Sequence, residues 1–176
     1  MWLRPLYLTT FYYLLMRVLL FATALLAAEL GWATPGFAQT TTAAAVPAAT
    51  WSSSLEAAMQ QAKATNRPVL AIFSGSDWCK PCIMLKQEVF DKPAFEQFAR
   101  DKFVLAHFDF PRSKKNKLSA DQTRQNELAA SKLNQEGSFP LVVLISPEGK
   151  ILAKTGYRPG GEAAYEAHLT SLLTRK

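Results

Sequence analysis

Cysteine, histidine and concentrated charge are all scarce in this sequence. Two cysteines in 176 residues are too few to staple a small fold, so a disulfide-framework miniprotein is excluded. Two histidines, His107 and His168, are the only nitrogen donors that could complete a zinc set with the cysteines, and neither has finger-like spacing, so no metal is expected. The formal charge is +6, but the 20 lysines and arginines are spread along the chain rather than gathered in a tract. That balance bears on solubility and weak attraction to anionic surfaces, and no nucleic-acid partner is expected. No internal repeat is found. What the chain does have is apolar material: 49% of residues are hydrophobic, enough for one globular core, which excludes disorder over most of the length.

The first residues differ from the rest. Arg4 and Arg17 stand in a stretch without acids, and residues 18–28 (VLLFATALLAA) follow without a charge. Gly36-Phe37-Ala38 then gives a small-x-small site. This is the pattern of a signal peptide over residues 1–38, cleaved after Ala38, and it predicts an exported, periplasmic protein of the bacterial envelope. An uncleaved N-terminal anchor is the alternative, since residues 6–28 nearly reach a bilayer span if Arg17 is tolerated. Residues 39–50 (QTTTAAAVPAAT) read as a flexible linker, and residues 51–176 as the folded domain.

Within that domain, Ser52–Ser54 offer an N-cap to a helix carrying Leu55, Ala58, Met59 and Ala62, which Asn66-Arg67-Pro68 ends. Residues 69–73 (VLAIF) suit a strand buried on both faces. A turn at Ser74–Asp77 leads into a helix from Cys79 to Val89. Asp91 reads as a fresh cap with Pro93 in the next first turn, followed by Phe95, Phe98 and Ala99 on one face. Residues 103–110 form a second strand, 111–119 a basic loop, and 120–133 a helix with Leu128, Ala129 and Leu133 facing in. Residues 141–145 (LVVLI) form a third strand. Pro147-Glu148-Gly149 turns it into a short fourth, and a closing helix carries Ala164, Leu169, Leu172 and Leu173. Helices before and between the first three strands imply crossovers and a mostly parallel centre, with an antiparallel hairpin at the end.

The chemistry-bearing motif is Trp78-Cys79-Lys80-Pro81-Cys82. It lies where a buried strand passes through a turn into a helix. Cys79 then meets the unpaired N–H groups and the positive end of the helix dipole, which stabilise the nucleophilic thiolate. Cys82 lies one turn further on the same face, within reach of the first sulfur. Pro81 suits the first turn, where its missing N–H costs nothing, and Lys80 adds a nearby positive charge. Other readings of the pair are a structural disulfide, which closes too short a loop to stabilise much, half of a metal site, and two coincidental buried thiols. Pro140, after Ser138-Phe139 and before a buried strand, belongs at a strand start or a turn; beside a cysteine pair it reads as one wall of a substrate groove.

These residues resemble the thioredoxin superfamily, and within it exported members similar to the C-terminal thiol–disulfide domain of the interchange protein DsbD. The resemblance covers about residues 51–173 and rests on Phe73-Ser74-Gly75-Ser76-Asp77-Trp78-Cys79-Lys80-Pro81-Cys82, on Phe139-Pro140, and on Gly156 after the hairpin. It implies an α/β thioredoxin fold, a three-layer α/β/α arrangement with a mixed four- to five-stranded sheet. It implies that Cys79 attacks and Cys82 resolves, and that Pro140 is cis and lies against the pair. Trp78, Lys80, Pro81, Phe139 and Pro140 are the expected substrate-binding residues, with Trp78 a lid over the sulfur.

The activity to expect is thiol–disulfide exchange through a mixed disulfide, without metal or organic cofactor. The expected partners are disulfide-containing client proteins and a membrane thiol–disulfide relay as electron donor, and the protein is expected to be a monomer. Rival readings are a disulfide oxidase or isomerase, and a non-enzymatic module that binds clients through the Phe139-Pro140 groove. One residue departs from the family pattern. A reducing thioredoxin carries a buried aspartate six residues before the first cysteine, and here Phe73 stands there. The resolving thiol therefore lacks its usual proton acceptor, so resolution is expected to limit turnover and to speed up as pH rises. Asp77, expected to be exposed in the turn, is the first suspect for any substitute. His107 reads as a structural histidine in a strand, His168 as surface, and the Arg112, Lys114, Lys115, Lys117 loop as solvated.

Overall fold

The computed structural model describes residues 50–174. The expectations for the leader and for all of the linker but Thr50 lie outside the described residues. Chain order is β1 (Trp51–Ser52), α1 (Leu55–Thr65), β2 (Val69–Ser74), α2 (Lys80–Leu85), α3 (Pro93–Lys102), β3 (Val104–Asp109), α4 (Ala120–Leu133), β4 (Leu141–Ile145), β5 (Ile151–Thr155) and α5 (Gly161–Thr174). A π-helical turn at Lys86–Phe90 extends α2, and a 3-10 turn at Lys114–Asn116 precedes α4.

The local signals act where they stand. Ser54 caps α1, its hydroxyl accepting the Ala57 N–H at 3.3 Å, and Asn66 ends the helix in the left-handed conformation at φ 51°. Residues of β2 are buried throughout, which is why the strand reads as a continuous apolar run rather than an alternating one. Alternation is still present in space. Val69, Ala71 and Phe73 pack with Ala58 and Ala62 of α1 and Ala129 and Leu133 of α4 on one face of the sheet. Leu70 and Ile72 pack with Leu85, Val89, Phe95, Tyr165 and Leu169 on the other. Two layers of helix therefore enclose one sheet, the three-layer arrangement that the resemblance implies.

Five strands form the sheet in the order β1-β3-β2-β4-β5. β3 runs parallel to β1 and β2, β4 runs antiparallel to β2, and β5 antiparallel to β4. The centre is thus mixed, not mostly parallel as the helix-between-strands rule suggests. The connection through α4 returns the chain to the end of the sheet where β2 finishes, pairing Leu141 with Phe73. Pro140 is thereby set beside the strand end from which the cysteine motif departs.

Other expectations need correction at single residues. The helix after the pair does not run unbroken to Val89: from Lys86 it widens, and the Asp91 N–H bonds back to the Lys86 carbonyl at 2.8 Å. Asp91 does not cap α3, whose N-cap is Lys92; its carboxylate instead pairs with the Lys86 ammonium at 2.6 Å. Leu128 is 52% exposed, the α4 face being buried through Asn126, Ala129 and Leu133. Ala164 is exposed, and Tyr165 beside it is buried together with Leu169, its hydroxyl donating to the Gly156 carbonyl at 3.0 Å. His168 is half-buried, with Nε2 2.9 Å from the Thr155 hydroxyl, so it joins α5 to β5.

Candidate active site

The site grows from the end of β2. Ser74 closes the strand, and the Gly75 carbonyl accepts the Trp78 and Cys79 N–H groups at 3.3 and 2.9 Å, folding the chain into a turn. Cys79 is the N-cap of α2: it is extended, and its sulfur accepts the Cys82 N–H at 3.3 Å. Pro81 lies in the first turn of that helix, where no N–H is required. Cys79 and Cys82 are joined by a disulfide, with S–S 2.01 Å, and both are buried. Lys80 and Pro81 between them are exposed. The pair is thus closed, and it stands at a helix start.

The flank around Trp78 is a rim of loop residues. The indole Nε1 donates to the Phe110 carbonyl at 2.8 Å, the Arg112 guanidinium lies 3.7 Å over the ring, and Phe139 meets it edge-on at 5.5 Å. Its packing on Gly75 is so close that a Cβ there would fall 2.3 Å from the ring. Trp78 is therefore anchored to the loop after β3. Asp77 holds that loop from below. Its carboxylate accepts the Arg112 N–H at 2.9 Å, the Ser113 N–H at 2.8 Å and the Asn116 amide at 3.1 Å. The Arg112 N–H above all, helped by the other two donors against some desolvation, keeps the Asp77 carboxyl below the ordinary range. Asp77 is half-buried rather than exposed, and its lone pairs are engaged by the loop.

The other flank is a cavity of about 550 Å³. Cys82, Pro140, Ile72, Ser74, His107 and Lys86 are among its walls. Phe139-Pro140 is a cis peptide, as the resemblance implies. In this cavity the Ser74 hydroxyl lies 2.6 Å from His107 Nε2 and donates to the Asp109 carboxylate at 3.0 Å. Asp109 also accepts the Ser76 N–H at 2.8 Å and the Ser76 hydroxyl at 2.5 Å, so it fixes the turn before the motif. Burial pushes the His107 imidazole below its ordinary value; the Asp109 charge acts the other way and Lys86 adds to the downward push.

The structure brings Cys82 and Pro140 to one cavity, and Trp78 and Phe139 into contact on the rim. Ser74, Asp109 and the carbonyl of Phe110 are missing from the sequence reading; His107, read there as a structural histidine in a strand, lies in β3 with Nε2 2.6 Å from the Ser74 hydroxyl. A faint signal exists: His107 and Asp109 share one face of a strand at its C-terminal end, where open α/β sheets place their sites. What joins them to Ser74 is the β2–β3 register, which pairs Ile72 with His107 and Ser74 with Asp109.

Comparison with known proteins agrees with this geometry. Residues 50–147 match a family model described as thioredoxin-like. The disulfide bond reductase DsbH of Chlamydia pneumoniae is 35% identical over 123 residues, 70% of this chain and 72% of that protein. The thioredoxin-related protein DsbJ of the same organism is 30% identical over 132 residues, which span 71% of this chain but only 37% of DsbJ. A solved structure titled DsbH oxidoreductase superposes with a TM-score of 0.65 at 31% identity, covering 82% of this chain and 97% of that one.

Proposed function

Since this chain belongs to the thioredoxin-like family and is a thiol–disulfide oxidoreductase, we propose that it reduces disulfides of exported client proteins, with Cys79 attacking and Cys82 resolving. The observation that carries this is the Cys79–Cys82 disulfide at the start of α2, with the Cys82 N–H donated to the Cys79 sulfur. A negative sulfur at that position gains a donor that a thiol uses less well, which lowers its pKa and favours it as nucleophile. In the reduced protein the Cys79 thiolate attacks a client disulfide and one client thiolate leaves. The Cys82 sulfur then attacks Cys79, the mixed disulfide breaks, and the second client thiolate departs with the pair oxidised. The reducing direction is supported by the similarity to the disulfide bond reductase of Chlamydia pneumoniae.

Trp78, Lys80, Pro81, Phe139 and Pro140 make the client-binding surface on this reading. Residues 1–38 are a signal peptide and residues 39–50 a tether, supported by the charge and small-residue pattern of the leader. Among the described residues no helix is long and apolar enough to cross a membrane. An exported pair that ends each cycle oxidised needs a source of electrons, and a membrane thiol–disulfide relay is the donor this reading assigns. Reduction of a protein disulfide by the purified chain is the test. Cys79→Ser abolishes turnover, and Cys82→Ser accumulates a mixed disulfide with the client that a non-reducing gel displays. A Cys79→Ser protein that still reduces the disulfide overturns the assignment of the nucleophile, and one that does not but still complements a reductase-deficient strain favours a non-enzymatic binding module.

A further inference from the structure

Resolution has a proton to dispose of. Cys82 must become a thiolate to attack, and a buried thiol resists ionisation because the thiolate loses its hydration. Phe73 cannot accept that proton. Its ring packs with Phe108, centroids 5.2 Å apart, in the core beneath α1 and α4. Asp77 is committed to the Arg112 loop through three hydrogen bonds. Of the titratable groups that share a cavity with Cys82, Lys86 and Asp91 are paired with each other, which leaves His107.

We propose that His107 accepts the Cys82 proton during resolution, across the cavity they share, with Ser74 and Asp109 as the residues that position it. The proposal rests on the exchange reading above. Its first support is the tautomer that the hydrogen bonds impose. Ser74 has a single hydroxyl proton and donates it to Asp109, a carboxylate that can only accept. The Ser74 oxygen, 2.6 Å from Nε2, must then accept, so Nε2 carries the hydrogen. Nδ1 is left as the basic nitrogen, and it has no hydrogen-bond partner among the described residues. Its second support is the cavity itself, about 550 Å³, which is roomy enough for the water needed to carry a proton between groups not in contact.

The charges that face His107 are Asp109 on its own strand, and Lys86 with Asp91, an ion pair in the cavity wall. Burial, opposed by Asp109 and aided by Lys86, holds the imidazole below its ordinary value, so at neutral pH it is uncharged and able to accept. The step balances. The Cys82 S–H bond breaks and its proton goes to Nδ1, giving imidazolium. The Cys79–client S–S bond breaks as Cys79–Cys82 forms, and the departing client thiolate takes the proton, restoring the neutral ring. Protonation at Nδ1 leaves Nε2–H on Ser74, and the Asp109 charge behind that hydroxyl steadies the transient cation.

The test follows resolution by stopped flow in the full-length protein across pH, with wild type, His107→Gln, Cys82→Ser and His107→Gln/Cys82→Ser. Wild-type resolution is expected to rise with pH while the imidazole loses its proton and then level off. His107→Gln loses the levelling, climbs steadily toward the ordinary thiol pKa of about 8.5, and is about a hundredfold slower at neutral pH. The attack step, read as mixed-disulfide formation in the two Cys82→Ser proteins, is the same with and without His107. A His107→Gln profile that superposes on wild type overturns the proposal while leaving the exchange reading intact. Failure of Cys82→Ser to form any mixed disulfide overturns the exchange reading and this inference with it. A second measurement needs no His107 variant to fold: the imidazole titration of wild type by NMR, assigned against His168→Gln, in the disulfide and dithiol states. Different His107 midpoints in the two states are expected, and identical midpoints overturn the coupling to Cys82.

Discussion

The two flanks of the cysteine pair are built from opposite materials. The Trp78 flank is loop: a guanidinium on an indole, a carboxylate gathering backbone N–H groups, and lysines in solvent. The Cys82 flank is sheet: side chains from the ends of β2 and β3 around a cavity, held at fixed spacing by ladder pairing. A loop rim can meet clients of varied shape, whereas strand ends hold a proton acceptor at one distance and one orientation. On the proposed reading the first sulfur faces recognition and the second faces proton transfer, so changes on one flank should leave the other's step untouched.

The largest expected effect lies in the core behind the cavity. Phe73→Asp removes a fully buried ring and leaves a carboxylate among apolar side chains. A loss of at least about 3–5 kcal/mol in unfolding free energy is expected, the range for deleting a buried Phe alone. Denaturant unfolding measures it. The family pattern, with an aspartate at this position, would have the new carboxylate speed resolution; the structure points the other way, because Phe73 faces α1 and α4 while Ile72 and Ser74 face the cavity. A folded Phe73→Asp protein should resolve no faster than wild type, and a faster one would move the proton route to the opposite face of the sheet.

Gly75→Ala attacks the rim instead. Its Cβ would fall 2.3 Å from the Trp78 ring, so the indole must leave its place against Arg112 and Phe139. A drop of roughly tenfold in kcat/KM for a protein client is expected, about 1.4 kcal/mol of lost transition-state binding. The pH profile of resolution should keep its shape. A profile that changes with the rim would mean that the two flanks act as one.

These two positions show what the sequence could and could not reveal. Gly75, Trp78, Cys79, Cys82 and Pro140 lie within two short stretches, and their chemistry is local: a tight turn, a helix start, a strand start. The sequence reading therefore reached the helix-start cysteines, the α/β class and the strand-start Pro140 without tertiary information. Ser74, His107 and Asp109 become a unit only through the parallel register of β2 on β3, and no periodicity in either strand encodes that register. The antiparallel β4 escaped for the same reason, since a helix between strands constrains the connection and not the end to which it returns. The π-helical turn at Lys86–Phe90, in which Val89 is buried, is a departure that helix propensity does not describe.

Asp77→Ala is the next smaller change. The carboxylate, lowered chiefly by the Arg112 N–H, ties the loop to the turn, and losing it should raise hydrogen exchange at the Arg112 and Ser113 amides several-fold. The sign of the pH effect follows from the depressed pKa. The tie is fully present above the unfolded carboxyl value of about 3.9 and is lost as pH falls through the lower folded value. Wild-type protection at those two amides should thus persist to more acid pH than an ordinary carboxylate contact allows. Protection that fades near the ordinary value would mean that the loop donors do not lower the carboxyl, and protection indifferent to acid would mean that the Arg112–Trp78 stack holds the loop instead.

The smallest expected effect belongs to the charge of the rim. Lys80, Arg112, Lys114, Lys115 and Lys117 are all exposed, and the Asp77 carboxylate beside the motif is tied to loop donors. A disulfide flanked by acidic residues should therefore approach faster than one flanked by basic residues, and salt should narrow the difference. Exposed charges more than about 10 Å apart are largely screened at about 0.1 M ionic strength, so the advantage comes mainly from encounter at low salt. Between about 0.02 and 0.5 M sodium chloride, reduction of an acidic model peptide should slow by roughly threefold and that of its basic counterpart should not slow. Changing Lys114 and Lys115 together to Gln should flatten the acidic curve without moving the basic one. Because none of these lysines is among the residues that line the cavity, the His107-dependent levelling of the resolving step should stay in place at every salt concentration. If salt shifted that levelling as strongly as it shifts encounter, the imidazole would be sensing the same field as the client, and the separation between a recognising rim and a proton-accepting cavity would fail.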